Sequence, residues 1–211
     1  VFCMLELEDG RYWFGGRDKI VEFNGDDLTI VRAEGLETVR SMIQSRDGAV
    51  WIGSGSGVHR YFNGSWISYT FEDGLPDRAI CKIYEDSRSR IWVATSEGLT
   101  LLHPEADSDP PETYVSSEEN PSGIVLGEAA RLVISGIDRW RHTAEDRLLY
   151  SYRFDEDPWS KFEAHNVVLR EGLAPGIHRF EVRAMDQNRN IDPTPAEFTF
   201  RVLLPWYREP V

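Results

Sequence analysis

Two arginines stand out among the residues able to do chemistry, Arg40 because it departs from what the surrounding sequence repeats and Arg78 because it lies in the approach to a neighbouring inner strand. Arg40 lies eleven residues before Trp51, where the matching positions before Trp13 and Trp92 hold Phe2 and Cys81. Arg78 lies in the approach to Trp92. A guanidinium stays charged and offers five donors in a fixed fork, so such a pair suits an acidic or hydroxyl-rich ligand. A salt bridge to a neighbouring acid is the competing use of the same charge.

Other chemistry is thin. There is no Gly-x-Ser-x-Gly elbow, no phosphate-binding glycine loop, no cysteine pair at zinc spacing and no His-Glu-x-x-His. His59, His103, His142, His165 and His178 are dispersed and read as surface or strand-end residues. The acidic run Asp155-Glu156-Asp157 lacks the spaced ligands and glycine of a calcium loop, so a solvated turn before Pro158-Trp159 is the expectation. Trp66, Tyr69, Trp140 and Trp159 have rings that could stack on sugars, but packing accounts for them. Cys3 and Cys81 stand ten and eleven residues before their tryptophans, which points them to opposite faces. They are expected to be buried free thiols. No metal site, cofactor or catalytic residue is expected.

The elements that must position Arg40 and Arg78 are written as a repeat. Tyr12-Trp13-Phe14-Gly15, Val50-Trp51-Ile52-Gly53 and Ile91-Trp92-Val93-Ala94 place tryptophans 38 and 41 residues apart. Asn24-Gly25 to Asn63-Gly64 and Gly35-Leu36 to Gly74-Leu75 keep a spacing of 39. Short apolar stretches alternate with turns at Asp9-Gly10 and Asp47-Gly48, while Arg88-Ser89 replaces Asp-Gly in the third copy. Nine and eight residues before the tryptophans stand Met4, Met42, Ile83 and Leu5, Ile43, Tyr84. Apolar residues on both faces of a strand are expected for a sheet buried between others. A period near 40 with strand-like units predicts propeller blades.

The run from Phe71-Glu72-Asp73-Gly74-Leu75-Pro76-Asp77 through Ile83-Tyr84-Glu85-Asp86 to Ile91-Trp92-Val93-Ala94-Thr95 and Gly98-Leu99 resembles the two-component regulator propeller repeat. The resemblance covers about residues 1–103. A proline-rich acidic stretch at 104–112 reads as a linker. Beyond it, Leu149 to Phe154, Pro158-Trp159-Ser160, Leu173-Ala174-Pro175-Gly176 and Phe180 to Asp186 follow the order of the triple-tyrosine (Y_Y_Y) domain that accompanies regulator propellers. This second resemblance spans about residues 113–207, with Ile177-His178 where an aromatic is usual. It implies an immunoglobulin-like β-sandwich of about seven strands. The expected fold is therefore all-β, a partial β-propeller of about three blades followed by that sandwich.

Composition fits two domains of about a hundred residues each. Residues 1–103 carry 16 acids against 11 bases and the remainder 20 against 12, so nucleic acid is a poor partner. No apolar run is long enough to span a membrane as a helix. Closed propellers take about four to eight blades, which makes a piece of a larger receptor the expectation. Its tail at 208–211 would precede a transmembrane helix, so the membrane enters through segments outside this chain. The resemblance implies an extracytoplasmic, periplasmic or cell-surface location in hybrid two-component sensors, a carbohydrate-derived or other small ligand at the propeller, and no enzymatic activity. Open strand edges add self-association. A surface adhesion or carbohydrate-binding protein without a kinase is the alternative reading.

Overall fold

The computed structural model describes residues 1–103, 107–117, 124–139 and 142–204. Trp140, the start of the 104–112 linker and the 208–211 tail lie outside the described residues. The chain divides into two compact units, Val1–His103 and Pro104–Val211.

The first unit is three antiparallel sheets in sequence order. Strands β1 (Cys3–Glu6), β2 (Tyr12–Gly15), β3 (Ile20–Phe23) and β4 (Leu28–Arg32) make the first blade. The second contains β5 (Ser41–Gln44), β6 (Val50–Ser54), β7 (Gly57–Phe62) and β8 (Ser65–Tyr69). The third has β9 (Ile80–Glu85), β10 (Ile91–Thr95) and β11 (Leu99–Leu102), three strands among the described residues. In each blade the hairpin at the inner strand turns through a left-handed residue: Gly10 at φ 84°, Gly48 at φ 82° and Ser89 at φ 60°. Glycine meets that demand without steric cost, whereas Ser89 meets it under strain.

The repeated tryptophans fix the second strand of every blade. Their indole N–H groups must find acceptors once buried. Trp51 donates to Ser45 at 3.0 Å and Trp92 to Asp86 at 3.0 Å, residues six before each tryptophan. In the first blade that position is Leu7, and Glu22 of β3 accepts from Trp13 instead, at 2.8 Å.

Blades one and two share a core of Leu7, Trp13, Ile20, Leu36, Val39, Met42, Val50 and Ile52. Close approach between blades depends on the glycine two residues after the tryptophan. A Cβ on Gly15 would lie 2.7 Å from Val39, and one on Gly53 would lie 2.6 Å from Ile80. The expectation that both faces of the inner strand are buried holds only inside the stack. Met42 and Ile83 are 7% and 0% exposed, but Met4 is 62% and Tyr84 61% exposed. Each of the exposed pair lies on an outer face of the three-blade stack, where no neighbouring blade covers it.

The second unit packs two sheets around one apolar core. One sheet is β12 (Glu112–Ser117), β14 (Ala130–Ile137) and β16 (Val167–Arg170). The other, in the order β13-β18-β17-β15, uses β13 (Ile124–Val125), β15 (Leu149–Phe154), β17 (Gly176–Met185) and β18 (Ala196–Leu203). Leu132, Ile134 and Val168 from the first sheet meet Phe154, Phe180, Val182 and Val202 from the second. Phe154 and Phe180 sit 4.9 Å apart and tilted, the arrangement ring quadrupoles favour.

Candidate functional site

The two arginines occupy equivalent ends of neighbouring inner strands. Arg40 immediately precedes β5, anchored through its backbone N–H to Gly53 at 2.8 Å, and Arg78 lies two residues ahead of β9. Both are exposed. The salt bridge weighed for Arg40 is not formed among the described residues, where its guanidinium has no hydrogen bond or ion pair. Arg78 sits beside Asp77, whose carboxylate accepts a hydrogen bond from Ser96 and is held below the usual range chiefly by it.

The segment that delivers Arg78 is locally well determined. Thr70 and Asp73 cap a short 3-10 turn at Phe71–Asp73, with the Thr70 N–H donating to the Asp73 carboxylate at 2.6 Å. Gly74 then reverses the chain at φ 87° and buries Leu75. Gly35, at φ 68°, and buried Leu36 do the same before Arg40. Lys82 of β9 adds a third cation on this inner edge. Burial pushes the Cys3 thiol of the first blade up, and Lys82 acts on it in the opposite sense. Exposed cations of this kind can hold an anion, but they supply no nucleophile or proton carrier.

Several sequence readings need correction. Cys81 is exposed, not buried, because it lies on the inner strand of the last blade with nothing packed beyond it. His59 is not a surface residue. It lies in β7, 3% exposed, with Nε2 3.0 Å from Ser54 Oγ and Nδ1 2.9 Å from Ser68 Oγ. Burial, with Arg32 nearby, lowers its pKa from 6.5 to about 4, so the ring is neutral at pH 7. The Ser54–His59 pair looks like a nucleophile and its base, yet Ser54 is fully buried and no substrate reaches it. The pair is a packing network.

The Asp155-Glu156-Asp157 run is an exposed turn, as expected, and Asp155 also organises the strand beside it. Its carboxylate takes His178 Nδ1 at 2.8 Å and the Arg179 N–H at 2.9 Å, and Asp155 itself adopts φ 50°. The His178 ring lies 5.8 Å from the Phe200 ring, tilted at 31°. Trp159 lies under Arg153 and Arg183, at 4.8 and 4.2 Å from the ring centre. Trp66 and Tyr69 pack within the blades, near Trp13 and Trp51.

Sequence reasoning missed a buried polar corner of the sandwich. Asp138, Asp186 and Asp192 are nearly inaccessible, and each is met by donors: Thr143 N–H, Asn190, and the N–H groups of Thr113 and Thr194. Burial raises the Asp186 carboxyl. Asp138 lies about fifty residues from Asp186 and Asp192, so the turn spacings Asp138–Thr143, Asp186–Asn190 and Asp192–Thr194 are local signals but their meeting in one corner is not. Among the described residues no cluster of histidine, cysteine or acid side chains is arranged to hold a metal ion, and no helix is long and apolar enough to cross a membrane.

Fold and site define an all-β chain of stacked propeller blades followed by a two-sheet sandwich, with cations on the inner edge of the blades. Residues 74–97, from the Gly74 reversal through β9 and β10, match the family described as two component regulator propeller. No curated protein matches the chain. Among solved structures it is similar to an extracellular domain attributed to the hybrid two component system BT3049 of B. thetaiotaomicron, at 15% identity and a TM-score of 0.49, covering 96% of this chain and 32% of that one. The corresponding domain attributed to BT4673 of the same organism shares 13% identity at a TM-score of 0.39, over 97% of this chain and 31% of that one. PorZ, a surface component of the type-IX secretion system of Porphyromonas gingivalis, shares 12% identity at a TM-score of 0.39, over 96% and 30%. The chain spans about a third of the length of these solved chains.

Proposed function

We propose that this chain is a recognition and relay part of an extracytoplasmic two-component sensor, without catalysis of its own. In this reading Arg40 and Arg78 bind a small acidic ligand, carbohydrate-derived, at the inner edge of the blades. The observation that carries the ligand reading is the exposed Arg40 guanidinium, which has no partner among the described residues and stands where the repeat otherwise has Phe2 and Cys81. The two-component context is supported by the regulator propeller repeat at 74–97. Relay requires that the ligand favour one arrangement of the receptor over another, since equal affinity for both shifts nothing.

Titration calorimetry with uronic-acid and sulfated oligosaccharides, each beside a neutral counterpart, tests this site. An acidic member is expected to bind, and Arg40→Ala to weaken it about tenfold, the equivalent of about 1.4 kcal/mol. Arg201→Ala, on the sandwich strand β18, serves as the control and leaves affinity unchanged. Binding that ignores Arg40→Ala and Arg78→Ala alike, or prefers the neutral sugars, would remove these arginines from the site.

A further inference from the structure

The β13-β18-β17-β15 sheet of the sandwich carries, on the face turned from the core, a cation that the protein does not neutralise. Tyr152, Phe154, Phe180 and Val182 pack into the core, so strand alternation turns Ser151, Arg153, Glu181 and Arg183 the other way. Glu181 is nearly inaccessible, and its two oxygens are each engaged by another arginine, Arg153 Nε at 2.7 Å and Arg179 Nη2 at 3.2 Å. Opposite Arg183 on β15 stands Ser151, whose hydroxyl donates to the Ser160 carbonyl at 2.8 Å. Arg183 therefore has neither a hydrogen bond nor an ion pair among the described residues. Its Nε is buried without a partner.

Aromatic rings hold this guanidinium in place. The segment after Pro158 runs beside β15, where the Ser160 N–H donates to the Tyr152 carbonyl at 2.9 Å and Tyr150 and Glu163 exchange backbone bonds at 2.8 and 3.0 Å. That pairing sets Trp159 and Phe162 against Arg183, with ring centres 4.2 and 5.4 Å from its guanidinium carbon. Arg153 lies 4.8 Å from the centre of the same Trp159 ring. Ring faces attract a cation, but they accept none of the hydrogen bonds that a guanidinium offers in its own plane. Burial, and Arg153 nearby, pull the Arg183 pKa down. The charge is thus short of water, close to a like charge and prevented by the rings from turning away.

We infer that Arg183, backed by Trp159 and Phe162 and flanked by Arg153, is a binding site for one oxyanion group, a carboxylate or sulfate, free in solution or borne on a sugar acid. The anion accepts from the terminal amino groups of Arg183, in the fork geometry that suits a planar pair of oxygens. Its charge also offsets the repulsion between Arg183 and Arg153. The chain carries a net charge of −13, so the whole-molecule field repels anions and any capture at Arg183 is local. The site lies in the sandwich unit and is separate from Arg40 and Arg78 in the propeller unit.

Nitrogen–proton NMR spectra of the whole chain, titrated with sodium sulfate or sodium glucuronate against sodium chloride at constant ionic strength, test this. The Trp159 indole N–H, identified by its loss in Trp159→Phe, is expected to shift saturably with the oxyanions and not with chloride. A response to sulfate shows that the free group suffices, and a response to glucuronate alone shows that its carrier is read as well; either supports the site. Arg183→Gln should raise the concentration needed by about tenfold, and Arg183→Lys, which keeps the charge but not the fork, by about threefold. Glu181→Gln frees Arg153 for the anion and should tighten binding about threefold, whereas Arg201→Ala, which removes an arginine from β18, leaves it unchanged. A shift that chloride reproduces, or that Arg183→Gln and Arg183→Lys both leave as in the wild type, overturns the inference.

Discussion

His59 makes the propeller unit sensitive to mild acid. In the folded state its ring is buried between Ser54 and Ser68 and its pKa falls from 6.5 to about 4. Between those values the unfolded chain binds a proton that the folded chain does not. The stability tied to neutral His59 is therefore present above pH 6.5 and lost as pH falls toward 4. With these two values the loss is about 2 kcal/mol on going from pH 7.5 to pH 5, and about 3 kcal/mol by pH 4. His59→Gln keeps an amide able to bond Ser54 and Ser68 but does not titrate. Its packing loss lowers stability at every pH, whereas the extra slope between pH 7.5 and 5 should vanish. Urea unfolding followed by tryptophan emission reads this, since Trp13, Trp51, Trp66 and Trp92 all report on the propeller unit. If wild type and His59→Gln lose the same stability over that interval, to within about 0.5 kcal/mol, the buried neutral imidazole is not the cause and the reasoning fails.

Two further substitutions probe how the blades are built. Gly53→Ala places a Cβ 2.6 Å from Ile80 and should destabilise the unit by about 1–3 kcal/mol, since both groups are buried and neither can yield freely. Ala94→Gly at the equivalent place in the last blade should cost only about 0.5–1 kcal/mol, the ordinary penalty for glycine in a strand; equal effects at the two sites would contradict the close-approach argument. Ser89→Gly relieves a left-handed serine at φ 60° but gives up the hydroxyl that accepts from Arg46 at 3.1 Å. A net gain of about 0.5 kcal/mol in a denaturant melt is expected, and a loss would show that the Arg46 contact outweighs the backbone strain.

Much of the blade architecture is legible in the sequence, because its signals are local. The tryptophan spacing, the Asp-Gly hairpins and the Gly-Leu reversals each encode a conformation within a few residues, and the strands fall where those signals put them. Arg40 is legible for the same reason: a charge at a position the repeat fills with Phe2 and Cys81 is visible by counting. The fates of Met4 and Met42 are not. The two carry the same residue at the same point of the repeat, yet one is exposed and the other buried, because burial depends on which sheet lies next to it.

His59 shows the same division. It is one dispersed histidine among five, and nothing local distinguishes it from His103 or His165. Its low pKa exists because β6, β7 and β8 bring Ser54 and Ser68 to its two ring nitrogens and exclude water, an arrangement made by pairing across fifteen residues. The Asp138, Asp186 and Asp192 corner likewise gathers residues from strand ends scattered over the sandwich. The all-β class, the blade repeat and the place of Arg40 follow from the order of residues alone, since hydrophobic period and turn chemistry act over short distances. Which faces are covered, which titratable groups lose water, and that the Arg40 guanidinium is left without a partner among the described residues follow only from the folded arrangement, because desolvation is set by neighbours the chain brings from elsewhere.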